Sequence, residues 1–180
     1  MNRRQVTLLG AATLVAGCTV RRARPLGPDG APLPSVYDIS DPAAVQFRVL
    51  DSVNALRSAA GAQALGFSAE LTAAAATHAQ DMSLQNRPWH FGSDGSSPID
   101  RARRAGYAGT VLGENISETY ETEVETLTAW MQAPASRDVI LDPAARDLGF
   151  AWFQEPTGKI WWTLVTGDGG TTGPVNAPRG

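Results

Sequence analysis

Apolar residues recur at two different periods along this chain, and the change of period divides it. From residue 41 to about residue 132 the period is helical. Asp41-Pro42 offers a capping acceptor followed by proline at the first helical position; Val45, Val49, Val53 and Leu56 then recur at helical spacing until Gly61. A second helix is expected from Ser68, with Leu71, Ala74, Ala75, His78 and Met82 on its inner face and Asn86-Arg87-Pro88 as its end. Ser97-Pro98-Ile99-Asp100 opens a short helix closed by Gly106. Thr122 with Glu125 forms a capping box ahead of a fourth, which carries Val124, Leu127, Trp130 and Met131 and stops at Pro134.

Beyond residue 147 the period drops to two. Leu148, Phe150 and Trp152 alternate with Gly149, Ala151 and Phe153, and a second alternating run extends from Ile160 to Val165. Pro156-Thr157-Gly158 between them supplies turn chemistry, so the pair reads as a β-hairpin. Aromatic and β-branched residues on both faces call for a sheet covered on both sides. Helices first and antiparallel strands last give an α+β layered domain over residues 41–168. Trp161 and Trp162, being adjacent, must face opposite sides of their strand.

The two ends read differently. Arg3-Arg4, the apolar run from Val6 to Ala16 and then Gly17-Cys18 have the layout of a secretory signal over residues 1–17. The run is well short of the ~20 residues a membrane-spanning helix needs. Val15-Ala16-Gly17-Cys18 resembles a bacterial lipobox, in which Cys18 becomes the acylated first residue, and Arg3-Arg4 also resembles a twin-arginine signal. The alternative is a free Cys18 thiol in an uncleaved signal. Residues 18–40 are rich in Arg, Pro and Gly and read as a flexible tether; residues 169–180 read as a disordered tail.

Cys18 is the only cysteine, which leaves the folded part without disulfides or thiolate metal sites. Loss of Arg3 and Arg4 with the signal shifts the formal charge from −3 to −5. A mildly acidic chain without a basic run suits neither nucleic acid nor electrostatic attachment to anionic lipid. The lipid on Cys18 is then the membrane contact, and a monomer is expected.

Five collinear segments carry a family resemblance. They are His78-Ala79-Gln80-Asp81-Met82 with Trp89-His90-Phe91-Gly92; Arg101 to Tyr107; Gly113-Glu114-Asn115-Ile116; Ala129-Trp130-Met131 with Arg137-Asp138-Val139-Ile140-Leu141; and Asp147-Leu148-Gly149-Phe150 with Trp161-Trp162-Thr163. Together, over residues 43–167, they resemble bacterial CAP domains, the SCP-like relatives of cysteine-rich secretory proteins, antigen 5 and plant pathogenesis-related proteins. The resemblance implies a three-layer α-β-α sandwich, here with a mainly antiparallel sheet. It also implies a groove in which two histidines and two acidic residues can hold a divalent metal. His90 matches the first histidine and Glu114 the glutamate of the Gly-Glu-Asn motif. Ser136 stands where relatives carry the second histidine, and Ala133 where they carry the other acid. Zinc takes about four donors. Two can hold only a weak, exchangeable divalent metal, so no cofactor is expected.

Each candidate has a plainer reading beside it. His78 fits a hydrogen-bonded histidine at the edge of the core. His90 sits in a loop where no core period demands it. Glu114 can cap a turn or orient His90, and Asn115 can brace the loop. Ser136 fits a cap on a short helix from Arg137; the sharper alternative joins it to His90 and Glu114 as nucleophile, base and orienter. There is no nucleophile elbow in the sequence. The expectation is an exported, lipid-anchored binding module at the cell envelope, on the outer membrane or the periplasmic face in a two-membrane organism. Its ligand would be a lipid, glycan or peptide met by His90, Glu114, Asn115 and Ser136. An envelope hydrolase and a structural protein with a vestigial groove are the alternatives.

Overall fold

The structure, a computed structural model, describes residue 39 and residues 41–118 and 120–170. The expected signal, Cys18, all of the tether but Ile39, and residues 171–180 lie outside the described residues. In chain order the described elements are α1 (Pro42–Ala59), β1 (Gly66–Phe67), α2 (Ala69–Gln85), α3 (Pro98–Arg104), β2 (Val111–Ser117), α4 (Glu123–Gln132), α5 (Pro134–Leu141), β3 (Asp147–Gln154) and β4 (Ile160–Gly167).

The helices start where their caps predict. Asp41 accepts from the Ala44 amide, Ser68 from Leu71, and both Ser97/Asp100 and Thr122/Glu125 form complete capping boxes. The exception is α5. It begins at Pro134 with Ala133 as an N-cap lacking a side-chain hydrogen bond, so Ser136 lies inside the first turn and does not cap. A proline fits the first helical position without losing a hydrogen bond, and it sets the start two residues ahead of Ser136.

The strands lie in the order β1-β3-β4-β2. β3 and β4 form the expected hairpin, and β2 adds antiparallel to the other side of β4. β1 runs parallel to β3, so the sheet is mixed and not mainly antiparallel as expected. A parallel pair needs a long connection, and here α2, α3, β2, α4 and α5 all lie between β1 and β3 in the chain. Amides on both sides of β1 donate across to Arg146 and Leu148 carbonyls, from Gly66 and Ser68.

Strand alternation sorts the core into two layers. Trp161 and Val165 pack towards α2, with Leu71, Ala74, Ala75, Ala79 and Met82. Ile160, Trp162 and Leu164 pack with α1, α4 and α5, alongside Val49, Trp130 and Ile140. The two adjacent tryptophans thus divide between the layers. On β3 the Phe150 ring stacks on Trp162 at 5.8 Å, while Gly149 faces α2 so closely that a Cβ there would lie 2.3 Å from the Leu71 carbonyl carbon. The result is an α-β-α sandwich.

Three residues depart from the expected burial. Ile39, assigned to the tether, is buried in the core, so the folded domain begins before the Asp41 cap. Val124 is exposed on α4, where Leu127 and Trp130 face inward. Arg57 extends the Val45-Val49-Val53 stripe of α1 and is fully buried. Its guanidinium donates to the carbonyls of Gln63 (2.6 Å), Ile140 (2.8 Å), Asp142 (2.9 Å) and Ala145 (3.2 Å). These bonds tie the end of α1 to the turn that feeds β3. Among the described residues no helix is long and apolar enough to cross a membrane.

Arg57→Met should therefore remove about 3 kcal/mol or more of unfolding free energy, because buried carbonyls lose their donors. Arg57→Lys restores a charge but not the fork and should fall between. Arg103→Ala, on the exposed face of α3, should stay within about 0.5 kcal/mol. Urea denaturation of the three variants orders them.

Candidate functional site

The site is assembled where α2 ends. Asn86 takes a left-handed conformation (φ 48°) that stops the helix, and the chain turns into a loop carrying Trp89, His90 and Phe91. Side chains pin this loop from three sides. Asp81 accepts from the Ser93 amide (2.7 Å) and hydroxyl (2.6 Å), and Gln85 donates to the Phe91 carbonyl (3.4 Å). Arg101 reaches from α3 to the carbonyls of His90 (3.1 Å) and Ser96 (2.9 Å). Asp94, which bonds Ser96 and pairs with Arg104, is held well below the usual carboxylate range by those two partners in that order.

Glu114 is the centre of the cluster. From the sequence it reads as a turn cap or as the carboxylate that orients His90; Gly113-Glu114-Asn115 lies within β2 and pairs with β4, so it caps no turn. Its side chain is 2% exposed. Oε2 accepts from Arg101 Nη2 at 2.6 Å, and Oε1 lies 2.9 Å from His90 Nδ1. A carboxylate paired with arginine can only accept, so Nδ1 carries the proton and Nε2 is left as the ring edge not engaged by Glu114. The His90 side chain is 51% exposed, so that free edge is open to a ligand.

Sequence reasoning missed two members. Arg101 was read only as part of a helix that carries the resemblance, yet it is 5% exposed and joins loop, helix and strand. His78 is not the hydrogen-bonded, core-edge histidine expected. It is fully buried, its ring interacts with the Trp89 backbone without a well-formed hydrogen bond, and Nε2 stands 3.7 Å from Glu114 Oε1. Its place on the inner stripe of α2 gave the burial, but nothing local could reveal a carboxylate arriving from β2.

Asn115 and Ser136 belong to the other side of the strand. Side chains alternate along β2, and Asn115 Nδ2 donates to the Ser136 carbonyl at 2.8 Å, bracing α5 and not the loop. Ser136 thus meets the cluster's strand through its backbone. Among the described residues the His90 ring is hydrogen-bonded to Glu114 alone. A cleft of about 420 Å³ between α2 and α3 reaches Arg101 and is lined by Thr77, Asp81, Ser93, Ser96 and Arg104 as well. His90, Glu114, Asn115 and Ser136 do not line it. A separate, mainly apolar groove of about 610 Å³ runs between α1 and α4 past Ala55, Leu56, Val124, Leu127 and Met131.

The divalent metal implied by the resemblance does not fit these residues. Both Glu114 oxygens already have donors, one of them a buried cation, and Ala133 and Ser136 offer no strong ligand. Among the described residues no group of three or more His, Cys, Asp or Glu side chains is arranged to hold a metal ion.

Trp89 and Phe91 flank His90 with their rings 5.7 Å apart at 73°, and Arg87 lies 3.7 Å over the Trp89 ring. Both aromatic rings are exposed, Trp89 at 42%. Exposed aromatics on a pinned loop beside a polar ring edge make a surface suited to binding.

Burial holds the His78 ring below the usual imidazole range, with Glu114 pulling it up and Arg101 pushing it further down. The unfolded chain takes up this proton near pH 6.5, while the folded chain does so only at lower pH. The stability present above about pH 6.5 is therefore lost as the pH falls below it, by at most ~1.4 kcal/mol per unit from this residue. His78→Gln should unfold with a shallower loss between pH 7.5 and 5.5 than the parent. Equal slopes in urea melts would count against the assignment.

A family model described as the CAP, cysteine-rich secretory protein family, matches residues 50–166, inside the expected domain. Uncharacterized protein YkwD of Bacillus subtilis (strain 168) is 30% identical over 122 residues, which is 68% of this chain and 47% of that protein; the chain thus spans about half of that relative. An extracellular protein containing an SCP domain from Bacillus anthracis superposes with a TM-score of 0.64 at 22% identity, over 80% of this chain and 44% of the other. An outer surface protein from Borrelia burgdorferi superposes with a TM-score of 0.65 at 14% identity, over 71% of this chain and 94% of the other. These two likenesses establish the fold. With the family model spanning most of the folded domain, the chain belongs to the CAP, or cysteine-rich secretory protein, family.

Proposed function

We propose that this CAP-family protein is exported, is held at a cell-envelope membrane by a lipid on Cys18, and binds a lipid, glycan or peptide without turning it over. Export is supported by the signal-like first seventeen residues and by relatives described as extracellular or outer-surface proteins. The observation that carries the binding reading is the Trp89-His90-Phe91 loop. It presents two exposed rings and one free imidazole edge, while each oxygen of the carboxylate behind them already has a donor. A surface fixed before its ligand arrives loses little entropy on binding. If the ligand is a lipid, the apolar groove between α1 and α4 offers a second contact for its chain.

The bond from His90 to Glu114 favours one other reading, a hydrolase in which Glu114 orients His90 as general base. The binding reading is preferred because the contact that links Ser136 to this strand is made by its carbonyl oxygen, and the His90 ring is hydrogen-bonded among the described residues to Glu114 alone.

A soluble form beginning at Thr19 should bind purified cell-wall glycan, phospholipid vesicles or a peptide library, with no hydrolysis of ester or peptide substrates. Trp89→Ala and His90→Ala should weaken that binding about tenfold or more. Hydrolysis abolished by His90→Ala would establish the hydrolase instead, and indifference to both variants would leave a structural protein. Separately, Cys18→Ser should move the full-length protein from the membrane fraction to the soluble one; retention in the membrane fraction would refute the anchor.

A further inference from the structure

The mismatch between this site and a metal points to what stands in the metal's place. We infer that Arg101 is the resident cation of the His90–Glu114 site, neutralising the carboxylate and fixing the His90 loop so that the site holds its shape without a metal and rejects one. The inference does not depend on which ligand the loop takes.

Three connections of one guanidinium carry it. Nη2 bonds Glu114 Oε2 at 2.6 Å, and Nη1 bonds the carbonyls of His90 at 3.1 Å and Ser96 at 2.9 Å. Strand β2 and the loop are thereby joined through a single positive group, as a bound metal would join them. Both partners are buried, Arg101 at 5% and the Glu114 side chain at 2%, so solvent and salt screen the pair poorly. A guanidinium is a permanent cation with a planar fork, which lets it meet carboxylate and carbonyl oxygens together.

His78 makes the exclusion specific. Its Nε2 lies 3.7 Å from the same Glu114 oxygen that His90 Nδ1 approaches at 2.9 Å. Imidazole and carboxylate are donor types that zinc accepts. These three side chains are not arranged around an ion as they stand, and the charge beside them opposes the rearrangement that would gather them on one. A divalent ion drawn to Glu114 would sit within a few Å of the guanidinium, in surroundings where like charges repel far more strongly than in water. Arg101 is thus a positioning residue that acts through Glu114.

The test is zinc titration of the full chain, followed calorimetrically and by the histidine ring resonances in 1H–15N NMR. The parent protein should show no site-specific zinc uptake, and its ring resonances and Tm should be unchanged by EDTA. Arg101→Met should bind zinc at least tenfold more tightly than the parent, with both histidines shifting. Arg101→Lys keeps the charge and should remain as inert as the parent, and it is the contrast between this variant and Arg101→Met that a merely structural role for Arg101 would not produce. Should Arg101→Met fail to fold, Arg101→Gln, which keeps hydrogen-bond donors and removes the charge, takes its place: zinc gained by it supports the inference, and zinc-inert behaviour in it overturns the inference. Stoichiometric zinc at His90 in the parent, zinc gained by Arg101→Lys, or equal zinc affinity in a folded Arg101→Met and the parent would overturn it.

Discussion

Burial of the Glu114 carboxylate is the constraint around which this molecule is organised. A carboxylate cannot remain charged in a protein interior without a cation and hydrogen-bond donors, and β2 carries Glu114 inward at the outer strand of the sheet. Arg101 supplies the cation, and the Ser97/Asp100 capping box starts α3 so that Arg101 falls in its second turn. The same guanidinium needs further acceptors, and the loop after α2 provides them as the carbonyls of His90 and Ser96. One residue further, Asn115 points the other way and holds α5. Two consecutive side chains thus fasten one strand to both helical layers.

A second buried charge works at the far end of the sheet by a different solution. Arg57 has four carbonyl oxygens around it in place of a carboxylate. Carbonyl dipoles gathered on one guanidinium neutralise less charge than an acid does, but they fix backbone directly. They do so at the turn before β3, next to where the short β1 pairs with it. The apolar layers then fill the space between the two clamps, with Trp161 and Trp162 on opposite faces of the buried β4.

Local signals made the helices and the hairpin legible in the sequence. Caps such as Asp41-Pro42, Ser68 and Ser97-Pro98 act within one turn, and the Leu148-Phe150-Trp152 alternation acts within one strand. What escaped was set by partners distant in the chain. The Gly-Phe of β1 is too short to show a period, and Gly113-Glu114-Asn115 has a turn's composition but takes its conformation from β4. Arg57 lies on the same stripe as Val45, Val49 and Val53, yet a charge in such a stripe reads as solvent-facing until its four acceptors are placed. Ser136 read as a cap because serine caps helices, but a proline two residues earlier had already set the start.

The same distant contacts bear on what the site can do. Catalysis by His90 would need a nucleophile or a held water at its free edge and donors for the charge that develops. The strand directs its neighbouring polar side chain, Asn115, to the backbone of Ser136, so the contact between this strand and that serine braces α5 and brings no hydroxyl to His90 among the described hydrogen bonds. Binding asks for less. It needs exposed apolar area, a directional polar group and a surface that does not have to be ordered on contact. Trp89 and Phe91 supply the first, His90 the second, and the hold of Arg101, Gln85 and Asp81 on the loop the third. In the proposed binding role, the buried ion pair behind the loop would do what second-layer hydrogen bonds do for a catalytic site: fix the geometry in advance and leave a single imidazole edge to meet a ligand.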